Sequence, residues 1–242
     1  MNKDFNYSII ISTLNSCKNL KFTINNLKKS NSKNFEVIVI DGDSNDDTQD
    51  YLKSESFISK WISEKDNGIY DAWNKGLKLI KGKWIMFLGA GDTISKDLFL
   101  NYDSLISESI IENDFIFCKI KIGDRIIDTN WDWDKFRKYM NIPHCGGLHN
   151  KSYFEKYGIF NTHFRIAGDY EMLLRKKSKL NVKKLDLIGV NMKEGGVSQN
   201  NFNVFLESRQ AKKINNSQNL LFNNIFYVYT IIKYVIKKIL FK

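Results

Sequence analysis

The stretch EKDNGIYDAWNKGLKLIKGKWIMFLGAGD, residues 64–92, decides the fold that we predict. Its first half carries apolar side chains at the three- and four-residue spacing of an amphipathic helix: Ile69, Ala72, Trp73, Leu77 and Ile80. This spacing predicts a helix over 69–81 that Gly82 ends. The continuous apolar run over 84–88 then has the length of a strand that is buried on both faces, as strands of parallel sheets are.

Asp92 follows this predicted strand directly, after two glycines. In open α/β sheets, ligands bind in the crevice at the carboxyl ends of the strands. Glycines there let the backbone and a ligand approach each other closely. Asp92 is therefore a candidate residue of a metal or phosphate site. The alternative is a turn in which Asp92 caps the next helix, since Asp is a favoured turn and cap residue.

The composition is that of a globular chain, with 242 residues, 43% hydrophobic and 26% charged. The net charge of +10 indicates anionic partners, such as nucleotide phosphates, nucleic acid or acidic lipid. Cys17, Cys118 and Cys145 form no CxxC pair, which predicts free thiols in a reducing compartment. We expect neither a secretory signal nor a spanning helix, because no run of about 18 apolar residues occurs.

The segments before this stretch repeat the order of strand, polar loop and helix. Strands are predicted over 7–11, 36–40 and, more weakly, 60–63, and the first is followed by a helix that carries Leu20, Ile24 and Leu27. Strands that alternate with helices predict an α/β fold with a doubly wound, mostly parallel sheet.

Polar residues would then meet at one edge of this sheet: Thr13, Asn15, Asp41, Asp43, Asp66 and Asp92. Several acidic groups in one cleft repel each other unless a cation or hydrogen-bond donors offset their charge. Mg²⁺ or Mn²⁺ with a diphosphate would do so, because these ions take oxygen ligands and complete their shell with phosphate and water. No Gly-x-Gly-x-x-Gly or phosphate-loop lysine follows the first strand, which weighs against dinucleotide enzymes and nucleoside triphosphatases.

Several motifs follow one another in the first hundred residues. They are Ser12-Thr13-Leu14-Asn15, Asp41-Gly42-Asp43-Ser44-Asn45-Asp46, Glu64-x-Asp66-x-Gly68-Ile69-Tyr70-Asp71-x-x-Asn74-Lys75-Gly76, Gly82, and Phe87-Leu88-Gly89-Ala90-Gly91-Asp92. In this order they resemble the family 2 glycosyltransferases of bacterial surface-polysaccharide synthesis. The resemblance implies a GT-A fold, a nucleotide-diphospho-sugar donor (most commonly a UDP-sugar), inversion at the anomeric carbon, and a divalent metal, Mn²⁺ or Mg²⁺.

The resemblance also implies roles for single residues, with Asp41 and Asp66 holding the nucleoside and Asp92 as the last carboxylate of the metal motif. The predicted donor-binding residues are Thr13, Asn15, Asp41, Ser44, Asp66, Gly68, Asn74 and His144. The family commonly has two or three acidic residues in the metal motif, whereas this chain has only Asp92. One carboxylate can hold a metal if the diphosphate supplies other oxygens, so we expect free metal to bind weakly.

The second half is less informative. Its predicted elements are a helix over 97–111, strands over 115–120 and 125–128 around a Gly123-Asp124 turn, and a helix over 152–157 that Gly158 ends. Trp131 and Trp133 could stack on a sugar or on bases, or belong to the core. His144 and His149 flank two glycines and could contact metal or phosphate, although their spacing fits no standard zinc pattern.

Gly168-Asp169-Tyr170-Glu171 opens a further predicted helix, with Leu173 and Leu174 on its inner face. In an inverting transfer, the acceptor hydroxyl attacks from the face opposite the nucleotide and a carboxylate takes its proton. By resemblance to the acidic base motif of the family, Asp169 is the predicted base. The alternative is that Asp169 only caps the helix. The glycine-rich segment 193–198 could be a loop that closes over the donor and acceptor, or a plain loop.

The carboxyl-terminal segment from Phe222 has apolar residues at helical spacing, with Lys233, Lys237, Lys238 and Lys242 as charges and no acidic residue after Glu207. This pattern predicts a basic amphipathic helix that lies at the interface of an anionic membrane, or packs on the domain or on a second subunit. We therefore divide the chain into a catalytic domain over 1–215, with a donor half over 1–100 and an acceptor half over 101–215, and a helix over 216–242.

The predicted function is a metal-dependent, inverting transfer of a sugar to a hydroxyl of a glycan acceptor. The acceptor is plausibly lipid-linked, and the expected location is cytoplasmic, peripheral on the inner face of the cytoplasmic membrane. Three alternatives stay open. They are an inactive homologue that serves as a subunit of a transferase complex, a nucleotidyltransferase, and a basic nucleic-acid-binding protein.

Overall fold

The computed structural model describes residues 6–109, 112–196 and 201–240. Its first half contains β1 (Tyr7–Thr13), α1 (Cys17–Leu27), β2 (Phe35–Asp41), α2 (Thr48–Ser54), β3 (Lys60–Ser63), α3 (Ile69–Leu77) and β4 (Trp84–Gly89). Then follow β5 (Thr93–Ile94), α4 (Leu98–Ser107), β6 (Phe115–Ile122), β7 (Arg125–Ile127), α5 (Trp133–Phe136), β8 (Leu148–Asn150), α6 (Lys151–Tyr157), α7 (Gly168–Leu174), β9 (Val182–Met192), α8 (Asn203–Ile214) and α9 (Leu220–Leu240).

The strands of the described chain form one sheet in the order β3-β2-β1-β4-β8-β6-β9-β5, and β7 pairs with β6. The first four pair in parallel, with Ile9 opposite both Val37 and Met86. This confirms the predicted α/β fold. Toward the other end, β8 runs antiparallel to β4 and β6, while β6 and β9 are parallel. The second half therefore adds a mixed part to the parallel sheet.

Both faces of the sheet are covered, because successive strand residues point to opposite sides. Ile9 and Met86 belong to a core shared with α1 and α4, whereas Ile10 and Phe87 belong to a second core shared with α3, α6 and α7. The apolar run over 84–88 is buried throughout, as predicted for a strand with two covered faces. Two cores on one sheet are the doubly wound arrangement.

Helix α3 ends at Leu77, four residues before the predicted end. The amide N–H groups of Lys78 and Leu79 bond to carbonyls three residues back, which tightens and closes the last turn. Gly82 serves a different purpose from the predicted one. A Cβ there would lie 2.6 Å from the backbone N of Ser8, so only glycine permits this approach to β1.

Several predicted elements of the second half are confirmed. They are α4, β6, β7, α6 with its end at Gly158, α7, and α9. Strands β8 and β9 and helix α8 were not predicted. Residues 110 and 111 of the predicted helix over 97–111, residues 197 and 198 of the glycine-rich segment, and residues 241 and 242 lie outside the described residues. Within the described ranges, no helix has the length and apolar character needed to cross a membrane.

Candidate active site

A cleft of about 830 Å³ opens at the carboxyl ends of β1 and β4. Its wall includes four of the predicted site residues: Thr13, Asp92, His144 and Asp169. The hydroxyl oxygen of Thr13 is buried there without a hydrogen-bond partner in the structure. The other predicted residues, Asn15, Asp41, Ser44, Asp66, Gly68 and Asn74, do not contribute to this wall. The structure therefore brings the predicted base and the predicted metal ligand to one cavity.

Asp41 organises the loops beside the cleft. It is fully buried, and its carboxylate accepts hydrogen bonds from the Ser44 N–H (3.1 Å), the Ser44 hydroxyl and the Ser63 hydroxyl (2.6 Å). The Ser44 hydroxyl oxygen accepts from the Asn15 N–H at 2.7 Å, and Asn15 Oδ1 accepts from the Asn45 N–H at 2.8 Å. One buried carboxylate thus fixes the loops after β1 and β2 relative to each other. Its predicted contact with a nucleoside stays a prediction.

Asp66 and Gly68 lie next to this network. Asp66 Oδ1 accepts from the Gly68 N–H at 2.9 Å. A Cβ on Gly42 would come within 2.7 Å of Asp66 Oδ2, so Gly42 makes room for this carboxylate beside the β2 loop. Gly68 has φ +106°, a conformation that favours glycine, and the guanidinium of Arg165 lies against it. Asp66 therefore lies beside the loop that follows Asp41, and the predicted contact of Asp66 with a nucleoside stays a prediction.

Asn74 has a different environment from the one predicted. Its Nδ2 donates to the carbonyl oxygen of Phe160 at 2.8 Å, and its Oδ1 accepts from the Phe160 N–H at 3.0 Å. The side chain is buried, and both of its polar ends are used by this one residue. Asn74 therefore ties α3 to the segment before α7, and its predicted contact with the donor stays a prediction.

Asp92 joins two distant parts of the chain. Its Oδ2 accepts from the Gly89 N–H at 2.8 Å and from the Cys145 thiol at 3.2 Å, and its Oδ1 accepts from the Lys193 N–H at 2.8 Å. The Asp92 N–H donates to the Gly89 carbonyl at 3.1 Å, so the chain turns directly after β4. The capping alternative is wrong, because the next helix has Asp97 as its N-cap residue. Burial, with the Asp92 charge added, raises the pKa of the Cys145 thiol well above its usual value.

The surroundings of Asp92 decide which kind of metal binding fits. In the part of the chain that the structure describes, no group of three His, Cys, Asp or Glu side chains could hold a metal ion. A carboxylate offers about four acceptor positions, and the three hydrogen bonds to Asp92 leave one on Oδ1. These residues fit a divalent metal that arrives with diphosphate oxygens, and they do not fit tight binding of a free ion.

His144 belongs to an aromatic group at the floor of the cleft. Its ring stacks on Trp73 and Phe87 with centroids 5.3 and 5.6 Å apart, and its Nε2 lies 2.8 Å from His149 Nε2. Burial lowers the pKa of both imidazoles, and that of His149 falls well below its usual value. Two neutral rings can share this bond only if one donates and the other accepts, which fixes the tautomers of the pair.

Asp169 lies in the first turn of α7, and Ala167 is the N-cap residue. The N–H groups of Arg165, Ile166 and Ala167 donate instead to the Glu207 carboxylate of α8, at 2.8 to 3.1 Å. The N-cap alternative for Asp169 is therefore wrong. Its Oδ1 lies 3.2 Å from the hydroxyl oxygen of Tyr70, which is also 2.7 Å from the Ile166 carbonyl. The half-buried Asp169 carboxylate is thus held at the cleft wall.

Sequence reasoning missed several residues of this site. Tyr70 was quoted in a motif without a role, although its hydroxyl reaches Asp169. Arg125, Arg165 and Lys193 line the cleft and bring positive charge to it. Glu207 was noted only as the last acidic residue, and no local pattern shows that it bonds to residues about 40 positions earlier.

Comparison with known proteins agrees with this geometry. Residues 8–102 match the family model described as Glycosyl transferase family 2. A PGL/p-HBAD biosynthesis glycosyltransferase of Mycobacterium bovis BCG is 29% identical over 181 residues, which cover 70% of this chain and 68% of the relative. A protein of the same description from Mycobacterium tuberculosis has the same identity and coverage.

Solved structures share the fold at low sequence identity. The S. aureus TarS fragment 1–349 in complex with UDP-GlcNAc superposes with a TM-score of 0.70 at 16% identity, over 92% of this chain and 70% of that one. The mannosyltransferase PcManGT from Pyrobaculum calidifontis, in complex with GDP-Man and Mn²⁺, gives a TM-score of 0.61 at 14% identity, over 92% and 69%. The family model over residues 8–102 and the relatives make this chain similar to the family 2 glycosyltransferases, and its fold is that of the GT-A glycosyltransferases.

Proposed function

We propose that this glycosyltransferase moves a sugar, with inversion, from a nucleotide diphosphate sugar to a hydroxyl of a glycan acceptor. The observation that carries the proposal is the presence of Asp92 and Asp169 in the wall of one cleft, on separate elements. A donor whose diphosphate lies toward Asp92 leaves the side of Asp169 for the acceptor. We take a UDP-sugar as the first candidate donor, since the TarS neighbour was solved with UDP-GlcNAc.

In this proposal Asp169 is the general base. Its carboxylate takes the proton of the acceptor hydroxyl as that oxygen attacks the anomeric carbon. Tyr70 and the first turn of α7 hold the carboxylate in place, because Oδ1 accepts from the Tyr170 N–H at 2.8 Å and shares the single Tyr70 hydroxyl proton with the Ile166 carbonyl. The base is therefore pre-oriented, which lowers the entropic cost of reaching the transition state.

The leaving diphosphate needs stabilisation of its negative charge. Asp92 would hold a divalent metal together with diphosphate oxygens, and that ion would act as a Lewis acid on the departing group. Arg125, Arg165 and Lys193 lie in the same wall and would add positive charge that does not depend on metal. Asp41, Ser44 and Asn15 would position the loops that receive the nucleoside.

A thermal-shift panel tests the donor site. Nucleoside diphosphates and nucleotide sugars are each added with Mn²⁺, with Mg²⁺ and with a chelator. We expect the melting temperature to rise with one nucleotide plus metal, because a ligand that binds only the folded state stabilises it. Metal without nucleotide should give little shift. A panel without any nucleotide shift would contradict the proposal and favour an inactive subunit; a duplex bound with steep salt dependence would favour a nucleic-acid-binding protein.

Helix α9 supports a peripheral membrane location and a lipid-linked acceptor. One side attaches it to α8, where Asn223 Nδ2 donates to the Arg209 carbonyl and Arg209 Nε donates to Asn224 Oδ1. The other side is an exposed apolar stripe, whose side chains are each about half or more accessible: Leu220, Leu221, Phe222, Ile225, Val228, Tyr229, Ile232, Val235, Ile236 and Ile239. We call this set the α9 stripe.

We propose that the α9 stripe lies in the interface of an anionic membrane, on its cytoplasmic face. The stripe extends over about 30 Å of helix, from the rise of about 1.5 Å per residue. Exposed Lys233 and Lys238 flank it, and no acidic residue follows Glu207, so its charge complements acidic lipid headgroups. A surface-polysaccharide pathway agrees with this location, since such acceptors are commonly carried on lipids.

Vesicle flotation tests this contact. The double variant Ile225→Ser with Ile232→Ser should lose binding to vesicles that contain anionic phosphatidylglycerol, because both side chains are more than half exposed and their loss removes apolar burial in lipid. Leu100→Ser, at a 48% exposed residue of α4, is the matched control and should bind normally. Absence of wild-type flotation, with a dimer that the double variant disrupts, would identify a second subunit as the partner instead.

A further inference from the structure

A second hollow, of about 600 Å³, adjoins the active-site cleft. Ile120, Met140 and Ile142 line both cavities, so the two lie side by side. Nothing in the proposed transfer chemistry uses this second hollow. We call it the outer hollow, and its remaining wall comes from the segment between β7 and Pro143.

Two polar atoms in the wall of the outer hollow are buried without a hydrogen-bond partner in the structure. They are the hydroxyl oxygen of Thr129 and Oδ1 of Asn141. The Asn141 side chain is held by a bond from its Nδ2 to the Asn130 carbonyl at 3.0 Å, so the amide is anchored while its oxygen stays unpaired. Buried polar atoms ordinarily have partners, so the Thr129 hydroxyl and the Asn141 oxygen are available for hydrogen bonds to a ligand with hydroxyl groups.

The same wall presents aromatic rings. Trp131 packs on buried Phe136 with ring centroids 5.0 Å apart, which fixes the indole while leaving it partly exposed. Tyr139 is 46% exposed and stacks with Phe226 of α9. Fixed aromatic faces are good surfaces for the apolar C–H face of a pyranose ring, while nearby amide and hydroxyl groups bond to its hydroxyls.

The charges around the outer hollow favour a neutral ligand. Asp128 forms ion pairs with Lys119 at 3.0 Å and with Lys184 at 2.6 Å. Asp132 accepts from the Lys135 N–H as the N-cap of α5. Because each of these carboxylates already has donors and each lysine lies near an acid, the wall offers no strong attraction to a phosphate.

We propose that the outer hollow is a binding subsite for a pyranose ring of the glycan acceptor, next to the sugar whose hydroxyl is glycosylated. The proposal rests on the proposed function, and it specifies an acceptor of at least two sugar units. The contact between Tyr139 and Phe226 places the subsite beside α9. An acceptor chain that occupies the subsite therefore has a short path toward the surface that faces lipid.

Direct saccharide binding tests the subsite without requiring the natural acceptor. Saturation-transfer NMR is recorded on the full chain with cellobiose, lactose, maltose and N,N′-diacetylchitobiose. We expect at least one disaccharide to receive saturation from aromatic protons. Thr129→Val, which exchanges the hydroxyl for a methyl of the same size, should raise the Kd of that disaccharide about tenfold. Thr129→Ser keeps the hydroxyl and should bind as the wild type does.

Two further variants make the outcome decisive. Trp131→Leu should strongly reduce the aromatic saturation signal, since Tyr139 is then the aromatic ring that remains in the wall, with the UDP thermal shift as the check that the protein is folded. Asp50→Asn should leave disaccharide binding unchanged, because this exposed carboxylate of α2 lines neither cavity. Wild-type binding by both Thr129→Val and Trp131→Leu, or no binding of any disaccharide to a protein that shows its nucleotide shift, overturns the subsite. Loss of the nucleotide shift with retained disaccharide binding contradicts the transferase proposal alone.

Discussion

Asp169→Asn is expected to lower the rate of sugar transfer by about 100- to 10,000-fold, the range that general base catalysis contributes. An amide has nearly the shape of a carboxylate but does not accept the acceptor proton at neutral pH. Its oxygen can still accept the hydrogen bond from the Tyr70 hydroxyl, so the first turn of α7 should keep its position. The measurement is transfer of labelled sugar from the donor, with donor Kd determined separately.

The separate donor measurement decides between chemistry and folding. The Kd of the nucleotide should change by less than about threefold in Asp169→Asn, because none of the predicted donor residues lies on α7, which carries Asp169. Asp50→Asn makes the same chemical change at an 83% exposed carboxylate on α2, and should leave both transfer and donor binding unchanged. Full transfer by Asp169→Asn would exclude Asp169 as the base, and loss of donor binding would indicate structural damage.

A variant of Tyr70 tests how much the positioning of the Asp169 carboxylate contributes to transfer, with the carboxylate itself still present. Tyr70→Phe removes the hydroxyl that lies 3.2 Å from Asp169 Oδ1 and 2.7 Å from the Ile166 carbonyl, and leaves the stacked ring in the core. We expect a much smaller decrease in transfer than in Asp169→Asn, since the carboxylate remains and one bond to it is lost.

The first hundred residues could be predicted well because their information is local. Each strand there is a short apolar run followed by polar loop residues. In the sheet, β2 and β4 lie next to β1, and β3 lies next to β2, so the paired strands all come from the first hundred residues. Because the apolar runs are local, the positions of Asp41, Asp66 and Asp92 at or just after strand ends could also be predicted. The exact end of α3 was not predicted, because the carbonyls and amides that close it bond over three residues and leave no mark in the apolar pattern.

The second half could be predicted only in pieces because its contacts join distant residues. Strand β9 lies between β6 and β5, about 65 and 100 positions away, and a register shift near Cys118 disturbs the regular alternation along this pair. The Ala167 N–H, two residues before Asp169, donates to the Glu207 carboxylate 40 positions later in the chain. A hydrogen bond between residues so far apart cannot be inferred from sequence spacing. The helix that starts with Asp169 in its first turn could be predicted, because its pattern is local.

Asp92→Asn is expected to lower transfer by about 100- to 1,000-fold, the effect of removing one group that stabilises the charge of the transition state. An asparagine supplies one oxygen where two are used. Its amide nitrogen must then face the N–H of Gly89 or that of Lys193, and this N–H loses the oxygen to which it donates. The variant should therefore lose both the negative charge for a metal and one of these two backbone hydrogen bonds.

A metal titration separates these two losses. In the presence of nucleoside diphosphate, Asp92→Asn should require a much higher concentration of Mn²⁺ for the thermal shift, because the one protein carboxylate that would share the ion is gone. Cys145→Ser is the matched control, since it keeps a donor beside Asp92 Oδ2 and leaves the carboxylate charge intact. Wild-type transfer by Asp92→Asn at the same metal concentration would remove Asp92 from the metal site. Stabilisation of the diphosphate would then rest on Arg125, Arg165 and Lys193.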